Sequence, residues 1–242
     1  YRRAYDHEGR PVGSAGNDNS EYSVQGQRYT SAGTATGGEF QVNTYTSSFQ
    51  STAAVGAGGD GSFVVAWDSM GSGEGDNSET SVHAQRFSAA GVAQGSEFQV
   101  NAYSTNYQWL PAVAVDGEGD FVVVWQSMGA SSGDTAGYSL HAQRYSAAGT
   151  ALGDPFQVNS YTTSDQTASA VAVDADGDFV VVWKSTGSSF GDNSLGSIQG
   201  QRFRVTGDLQ GTVWVDQDLD GIQDGPEPGL AGVTVELYAD TL

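Results

Sequence analysis

One short pattern, Gln-Arg followed by an aromatic residue, recurs along the chain at a constant spacing of 58 residues. Its four copies are Gln27-Arg28-Tyr29, Gln85-Arg86-Phe87, Gln143-Arg144-Tyr145 and Gln201-Arg202-Phe203. A Phe-Gln-Val-Asn segment and a Phe-Val-Val-(Ala/Val)-Trp segment keep the same spacing, beginning at Phe40, Phe98 and Phe156 and at Phe63, Phe121 and Phe179. Repetition at a fixed period means that each unit must stack on its neighbours to bury a shared core. The chain is therefore predicted to fold as an array of similar modules.

The second complete repeat, residues 107–159, has strand patterns throughout and no helical periodicity. Its apolar and β-branched runs predict strands over residues 109–115, 121–125, 140–145 and 155–159. Segments rich in Gly, Ser and Asp predict a hairpin turn at residues 116–119 and a long exposed loop at residues 127–139. The run from Phe121 to Trp125 contains no polar residue, which is typical of a strand covered on both faces.

Four antiparallel strands in each repeat are the pattern of a β-propeller blade. We therefore predict an all-β fold over residues 1–206, with four-stranded antiparallel repeats in a propeller-like stack. The chain holds three complete repeats, whereas a closed ring usually needs about 4 to 8 blades. An open stack, a ring with missing blades and assembly between chains are the alternatives that the pattern leaves open.

The charge of the chain restricts its partners. The formal net charge is −20 at pH 7, so contact with nucleic acid or an anionic membrane is disfavoured and cations are the natural partners. The chain has no cysteine, which excludes disulfides and thiolate metal sites. No apolar run approaches the ~18 residues that span a bilayer, so no membrane insertion is expected within these residues. Because salt and divalent ions would screen the carboxylates, the composition favours an extracellular location.

An acidic segment late in the sequence has the spacing of the twelve-residue calcium loop. The pattern consists of five acidic side chains, one backbone carbonyl and a glycine that permits the bend. These residues are Asp216, Asp218, Asp220, Gly221, Ile222, Asp224 and Glu227. Without a cation the five carboxylates would repel one another. Strand-like segments flank the loop, so we predict a structural Ca²⁺ between β-strands, with an acidic surface turn as the alternative.

The segment from Gly211 to Tyr238 resembles the start of the B-type domains of serine-aspartate repeat adhesins. The resemblance rests on Gly-Thr-Val-Trp-Val-Asp-Gln-Asp-Leu-Asp-Gly before the loop centre and Gly-Val-Thr-Val-Glu-Leu-Tyr after it. Those domains are calcium-stiffened β-sandwich modules of bacterial surfaces. The resemblance implies that residues 207–242 hold the beginning of such a module. It also implies calcium ligation by Asp216, Asp218, Asp220, Asp224 and Glu227.

The 58-residue units resemble the tandem repeats of very large secreted bacterial surface proteins. The residues that carry this resemblance are Asp-Gly-Asp-Phe-Val-Val-Val-Trp, ending at Trp183, and Ala-Gln-Arg-Tyr, ending at Tyr145. The resemblance implies an extracellular location at the bacterial cell surface and gives no catalytic role.

Several repeated polar positions are candidates for binding, and each also has a structural explanation. The Gly-Asp loops at residues 75–78, 133–135 and 191–194 are candidate glycan sites or solvated loops, with Tyr138 and Phe190 as the aromatic residues beside them. The Asp-Gly segments near Asp60, Asp116 and Asp174 favour hairpin turns over cation sites.

Basic and aromatic residues that follow the repeat favour structural roles. His83 and His141 are expected on a polar strand face, since glutamine replaces them in other repeats. The repeated arginines are expected to cap carboxylates or carbonyls between modules, and Trp67, Trp125 and Trp183 are expected in the core.

Because near-identical units give a periodic surface, the sequence favours a protein without catalytic activity. The predicted function is a non-enzymatic extracellular surface or matrix protein for structure or adhesion, with a calcium-stiffened stalk junction. The alternative is a propeller lectin that binds glycans through the Gly-Asp loops. The predicted partners are neighbouring copies of the chain and a surface glycan or protein.

Overall fold

The computed structural model describes residues 22–71, 79–129, 137–187 and 196–205. The chain divides into two units, residues 1–205 and 206–242, and the described residues belong to the first. They form β-strands and no helix, so the all-β prediction is confirmed for them, and no membrane-spanning helix occurs in these ranges. In chain order the strands are β1 (Gln25–Tyr29), β2 (Ala35–Gln41), β3 (Gln50–Ala57), β4 (Phe63–Ser69), β5 (Ser81–Phe87), β6 (Phe98–Gln99), β7 (Gln108–Val115), β8 (Phe121–Met128), β9 (Tyr138–Tyr145), β10 (Phe156–Gln157), β11 (Gln166–Val173), β12 (Phe179–Ser185) and β13 (Ser197–Phe203).

Consecutive strands pair into four antiparallel sheets. We call β1–β2 the half module, β3–β6 the first module, β7–β10 the second module and β11–β13 the third module. The first and second modules have four strands each in sequence order, as the repeat predicts, whereas the half module has two and the third module three. These sheets do not show a closed ring, and the propeller-like arrangement stays a prediction.

The second strand of each complete module is the most deeply buried. β8 is buried from Phe121 to Ser127, so the prediction that this strand is covered on both faces is confirmed. β12 has the same sequence pattern, but its residues alternate between buried and exposed. Residues that face the second module are covered in β12, and residues that face away from it are not. Burial on both faces therefore requires a module on each side.

The hairpin between the first and second strands is closed by an aspartate side chain. In the second module Asp116 Oδ1 accepts hydrogen bonds from the backbone N–H groups of Glu118 and Asp120, both at 2.9 Å. Asp174 does the same in the third module, at 3.1 and 3.0 Å. These Asp-Gly segments are therefore hairpin turns, as predicted.

A β-bulge interrupts the first strand of the first, second and third modules. The register shifts after Ser51, Trp109 and Thr167, and the next residue has a positive φ of 46° at Thr52, 49° at Leu110 and 54° at Ala168. A residue other than glycine is strained in this region by about 1–3 kcal/mol. The bulge recurs at the repeat spacing, so the module as a whole imposes it.

Each interface between modules is an apolar core formed by two adjacent sheets. The even-numbered residues of β4 pack against the odd-numbered residues of β8, and β8 packs in the same way against β12. The tryptophan of each second strand is buried, with 1% exposure at Trp67, 3% at Trp125 and 7% at Trp183, so their prediction as core residues is confirmed. The modules therefore stack face to face and share their cores, as the repeat implies.

A buried asparagine ties each module to the next. Asn101 Oδ1 accepts a hydrogen bond from the backbone N–H of Val82 at 2.7 Å. Its Nδ2 donates to Tyr103 O at 2.8 Å and to Gln108 Oε1, in the next module, at 3.3 Å. This side chain occupies the place where the fourth strand would continue its ladder. The fourth strand consequently ends after two residues, at Gln99 and at Gln157, and is shorter than the predicted 155–159.

Two of the repeated arginines connect neighbouring modules by hydrogen bonds to backbone carbonyls. Arg28 Nη1 donates to Ala89 O at 2.7 Å, and Arg86 Nη1 donates to Ala147 O. Arg202 instead pairs with Asp178 of its own module, at 3.2 Å. The predicted capping between modules is confirmed for Arg28 and Arg86, whereas Arg202 caps a carboxylate within its own module.

Candidate functional site

Three aromatic residues of the second module have no aromatic set at the matching positions of its sister modules. Tyr107 directly precedes β7, Trp109 is the second residue of β7, and Tyr138 begins β9. The matching residues are Phe49, Ser51 and Thr80 in the first module and Asp165, Thr167 and Gly196 in the third. The three side chains therefore form a feature that the repeat does not impose. We call them the aromatic cluster.

The rings of the aromatic cluster form one continuous surface. The centroid of Trp109 lies 5.8 Å from that of Tyr107 and 5.6 Å from that of Tyr138, and the ring planes are tilted by 38° and 34°. All three residues are half-buried. Tyr138 was predicted as an aromatic candidate from the sequence, whereas the other two were not.

Glu79 holds one edge of this surface. A hydrogen bond to Glu79 and the negative charge of its carboxylate raise the pKa of Tyr107 above its ordinary value. Glu79 belongs to the segment that leads into the first module's third strand, so the site joins two modules. The backbone supports this placement, because the N–H of Gln108 donates to Thr80 O at 3.1 Å.

Two buried hydrogen-bond donors lie beside the cluster without an acceptor among the described residues. They are Nε1 of Trp109 and Nε2 of Gln126, and the two residues are cross-strand partners on β7 and β8. Buried donors are satisfied in the great majority of native structures. Two unsatisfied buried donors on paired residues indicate a place that a buried water molecule completes.

The corresponding pair in the first module is satisfied internally. Ser51 Oγ donates to Asp68 Oδ2 at 2.8 Å, and the N–H of Leu110 at the bulge of the next module lies 3.4 Å from Asp68 Oδ1. Asp68 is 6% exposed, and burial raises the pKa of its carboxyl group above 3.8. The third module has Thr167 and Lys184 at these positions. The same pair of cross-strand positions thus holds serine with aspartate in the first module, tryptophan with glutamine in the second and threonine with lysine in the third.

The repeated histidines lie on a strand face with polar neighbours, as predicted, since His83 shares its face with Ser81 and Gln85, and His141 with Ser139 and Gln143. His83 is 2% exposed and stacks on Trp67 at 6.2 Å, and His141 stacks on Trp125 at 6.1 Å. Each shares a hydrogen bond with the serine two residues earlier, at 3.0 and 3.1 Å. The aromatic stack explains why an imidazole can replace glutamine beside a core tryptophan.

Most of the metal and loop candidates lie outside the described residues. These are the calcium-loop residues Asp216, Asp218, Asp220, Ile222, Asp224 and Glu227, the Gly-Asp loops and Phe190. Among residues 22–71, 79–129, 137–187 and 196–205, no group of three or more acidic or histidine side chains is placed to hold a metal. The calcium site stays a prediction.

No protein-family model and no curated protein matches the chain. Two similar solved structures are an endo-arabinase from Bacteroides thetaiotaomicron VPI-5482 and an α-L-arabinofuranosidase from Lactobacillus brevis. The first has a TM-score of 0.41 and 11% identity, covering 65% of this chain and 57% of the enzyme. The second has a TM-score of 0.42 and 13% identity, covering 72% of this chain and 57% of the enzyme. At this level of similarity they assign no activity to the chain.

Both neighbours are enzymes, and they contradict the predictions that this chain has no enzymatic activity and is a non-enzymatic surface or matrix protein. The structure also removes the physical reason for those predictions. The argument assumed a chemically periodic surface, but among the described modules the set of Tyr107, Trp109 and Tyr138 occurs only in the second. Comparing the repeats column by column, and searching for residues that depart from their column, would have found them.

Proposed function

We propose that the chain binds a neutral saccharide at the aromatic cluster, as part of a protein that acts on carbohydrate. The observation that carries the proposal is the contiguous surface of Tyr107, Trp109 and Tyr138, which only the second module has among the described modules. Aromatic faces with an apolar body and polar edges suit the apolar C–H face and the peripheral hydroxyls of a sugar ring.

The polar groups around the cluster match the hydroxyl groups of such a ligand. The Glu79 carboxylate is an acceptor for sugar hydroxyls, and the Tyr107 hydroxyl that it holds lies at the same edge of the cluster. A net charge of −20 disfavours a polyanionic polysaccharide. Neutral saccharides are therefore the class of ligand that the site fits.

Calorimetric titration against a panel of neutral and acidic oligosaccharides tests the proposal. We expect binding to a neutral member, an at least tenfold loss of affinity in Trp109→Ala and Tyr138→Ala, and a smaller loss in Tyr107→Phe, which keeps the ring but removes the hydroxyl from Glu79. Phe49→Ala is the matched control, because Phe49 occupies the position of Tyr107 in the first module. It should bind like the parent chain.

Binding that Trp109→Ala and Tyr138→Ala leave unchanged would reject the aromatic cluster as the site. Exclusive binding to acidic oligosaccharides would reject the proposed class of ligand. Release of reducing sugar, measured in the same samples, shows whether bound saccharide is also cleaved.

A further inference from the structure

The two ends of the described array are unequal fragments of the same module. The half module supplies third and fourth strands, β1 and β2, and the third module supplies first, second and third strands, β11, β12 and β13. Strands β11 and β12 together with β1 and β2 would make one complete four-stranded sheet. In that sheet only β13 would be redundant.

The sequences of β1 and β13 are nearly interchangeable. Residues 23–29 read Ser-Val-Gln-Gly-Gln-Arg-Tyr and residues 197–203 read Ser-Ile-Gln-Gly-Gln-Arg-Phe. The matching segments of the first and second modules instead have His-Ala in place of the first Gln-Gly pair. Local contacts repeat as well, because Gln25 Nε2 donates to Ser23 Oγ and Gln199 Nε2 donates to Ser197 Oγ, both at 2.9 Å. β1 therefore has the residues needed to pair with β12 in the place of β13.

The half module lacks the aromatic contact that completes every other third strand. In the first, second and third modules, the aromatic residue of the third strand stacks on the phenylalanine of the second strand, with ring centroids 4.9, 5.0 and 4.7 Å apart. The pairs are Phe63–Phe87, Phe121–Tyr145 and Phe179–Phe203. Tyr29 occupies the same position in β1 and is 65% exposed. A second strand of the Phe-Val-Val-Val-Trp type is what it would pack against.

Apolar residues are exposed on matching faces at the two ends. Val180 and Val182 of β12 are 40% and 41% exposed, although their counterparts in β4 and β8 are at most 4% exposed. Val55 of β3 is 65% exposed, although its counterpart Val113 is 9% exposed. Within the chain, Val113 packs in one cluster with the β4 residues that correspond to Val180 and Val182. The exposed valines of β12 and the exposed valine of β3 therefore correspond to the two sides of the contact that β4 and β7 make within the chain.

We propose that two copies of this chain form a closed head-to-tail dimer by strand exchange. β1 of one copy replaces β13 on β12 of the other, so that Tyr29 stacks on Phe179 and Val55 lies against Val180 and Val182. Each copy then contributes its first module, its second module and one shared sheet. The described strands of one copy would close into three sheets, below the range of about 4 to 8 that rings of this kind require, whereas those of two copies would make six. The two contacts are identical and close about a twofold axis.

Engineered disulfides test the exchange directly, because the chain has no cysteine. Ser185 faces Ser197 in the β12–β13 pair, and it would face Ser23 in the exchanged pair. Directly opposed residues of antiparallel strands lie within the distance that a disulfide spans. We expect Ser23→Cys with Ser185→Cys to give a covalent dimer on a non-reducing gel after mild oxidation. We expect Ser185→Cys with Ser197→Cys to be monomeric when oxidised and dimeric after reduction.

Light scattering on the unmodified chain should give twice the monomer mass of 25.1 kDa. Val55→Glu adds a charge at a site that is exposed in the single chain, so it should keep the far-ultraviolet circular dichroism of the parent but remain monomeric. Val92→Glu, at a 59% exposed position on the turn after β5, is the matched control and should still dimerise. The single variants Ser23→Cys, Ser185→Cys and Ser197→Cys show whether one cysteine alone, at the buried Ser185 above all, disrupts the fold.

Three results would overturn the proposal. These are a parent chain that is monomeric at every concentration, dimers that persist in the oxidised Ser185→Cys and Ser197→Cys variant, and an open series of larger species in place of a dimer. A monomeric parent chain would mean that a different β-module covers the exposed faces of β12 and β3. None of these measurements depends on saccharide binding.

Discussion

Replacing Asn101 by alanine tests whether the buried asparagine holds adjacent modules together. The substitution removes one acceptor and two donors, leaving without partners the N–H of Val82, the carbonyl of Tyr103 and Oε1 of Gln108. Asn101 is 3% exposed and Val82 is fully buried. Water therefore cannot easily replace the bonds to the Val82 N–H and to Gln108, which is also fully buried, whereas the Tyr103 carbonyl lies closer to the surface.

The expected cost follows from these three groups. An orphaned buried polar group costs about 1–3 kcal/mol, and partial hydration of the Tyr103 carbonyl reduces its share. We expect the free energy of unfolding to fall by about 2–4 kcal/mol in Asn101→Ala. For a chain of this size, each kcal/mol lowers Tm by about 2–4 °C.

Urea unfolding followed by tryptophan fluorescence measures the loss. Asn159→Ala removes the equivalent bonds, at 2.7, 3.0 and 3.1 Å, and should lose a similar amount. Gln94→Ala removes only an exposed hydrogen bond and should change stability by less than about 0.5 kcal/mol. If Asn101→Ala were as stable as Gln94→Ala, the asparagine would not be what joins the modules.

Three further predictions concern a buried carboxyl group, a turn and the calcium loop. Burial raises the pKa of Asp68 in the folded state, so the ionised carboxylate destabilises the fold above that pKa, and this penalty vanishes below pH 3.8. In urea titrations at pH 7, Asp68→Asn should therefore be more stable than the parent chain. Its advantage should disappear on acidification. Gly91→Ala should be less stable than Gly33→Ala, because both glycines have φ near 75–79° but only at Gly91 would a Cβ lie 2.7 Å from Arg28. Calcium should raise the melting temperature of the parent chain in differential scanning calorimetry, and Asp220→Asn should abolish the shift.

The repeat pattern predicted the parts of the fold that depend on side-chain patterning. The apolar run from Phe121 to Trp125 indicated a central strand, and the structure buries it on both faces. The bulge at Leu110 could not be predicted, because neither glycine nor asparagine marks its positive φ. The short fourth strand was also missed, since a buried Asn101 side chain that replaces backbone pairing leaves no periodic signal.

The candidate site was harder to predict than the fold, because the inference from repetition was applied to whole modules and not to single positions. Tyr138 was found because it stood beside a loop in the sequence. Trp109 and Glu79 were missed because one lies in a strand and the other at the edge of a loop, and neither interrupts the period.

The distribution of repeated and non-repeated residues separates stability from recognition in this chain. A buried asparagine recurs in the half, first and second modules, and a core tryptophan in the first, second and third modules, because adjacent modules make the same contacts. The cross-strand pair beside the bulge is Ser51 with Asp68 in one module, but Trp109 with Gln126 in the next. A position that the array needed for packing would not tolerate both a serine and a tryptophan. The structure therefore leaves this pair free to vary, and a binding site can arise there without weakening the contacts between modules.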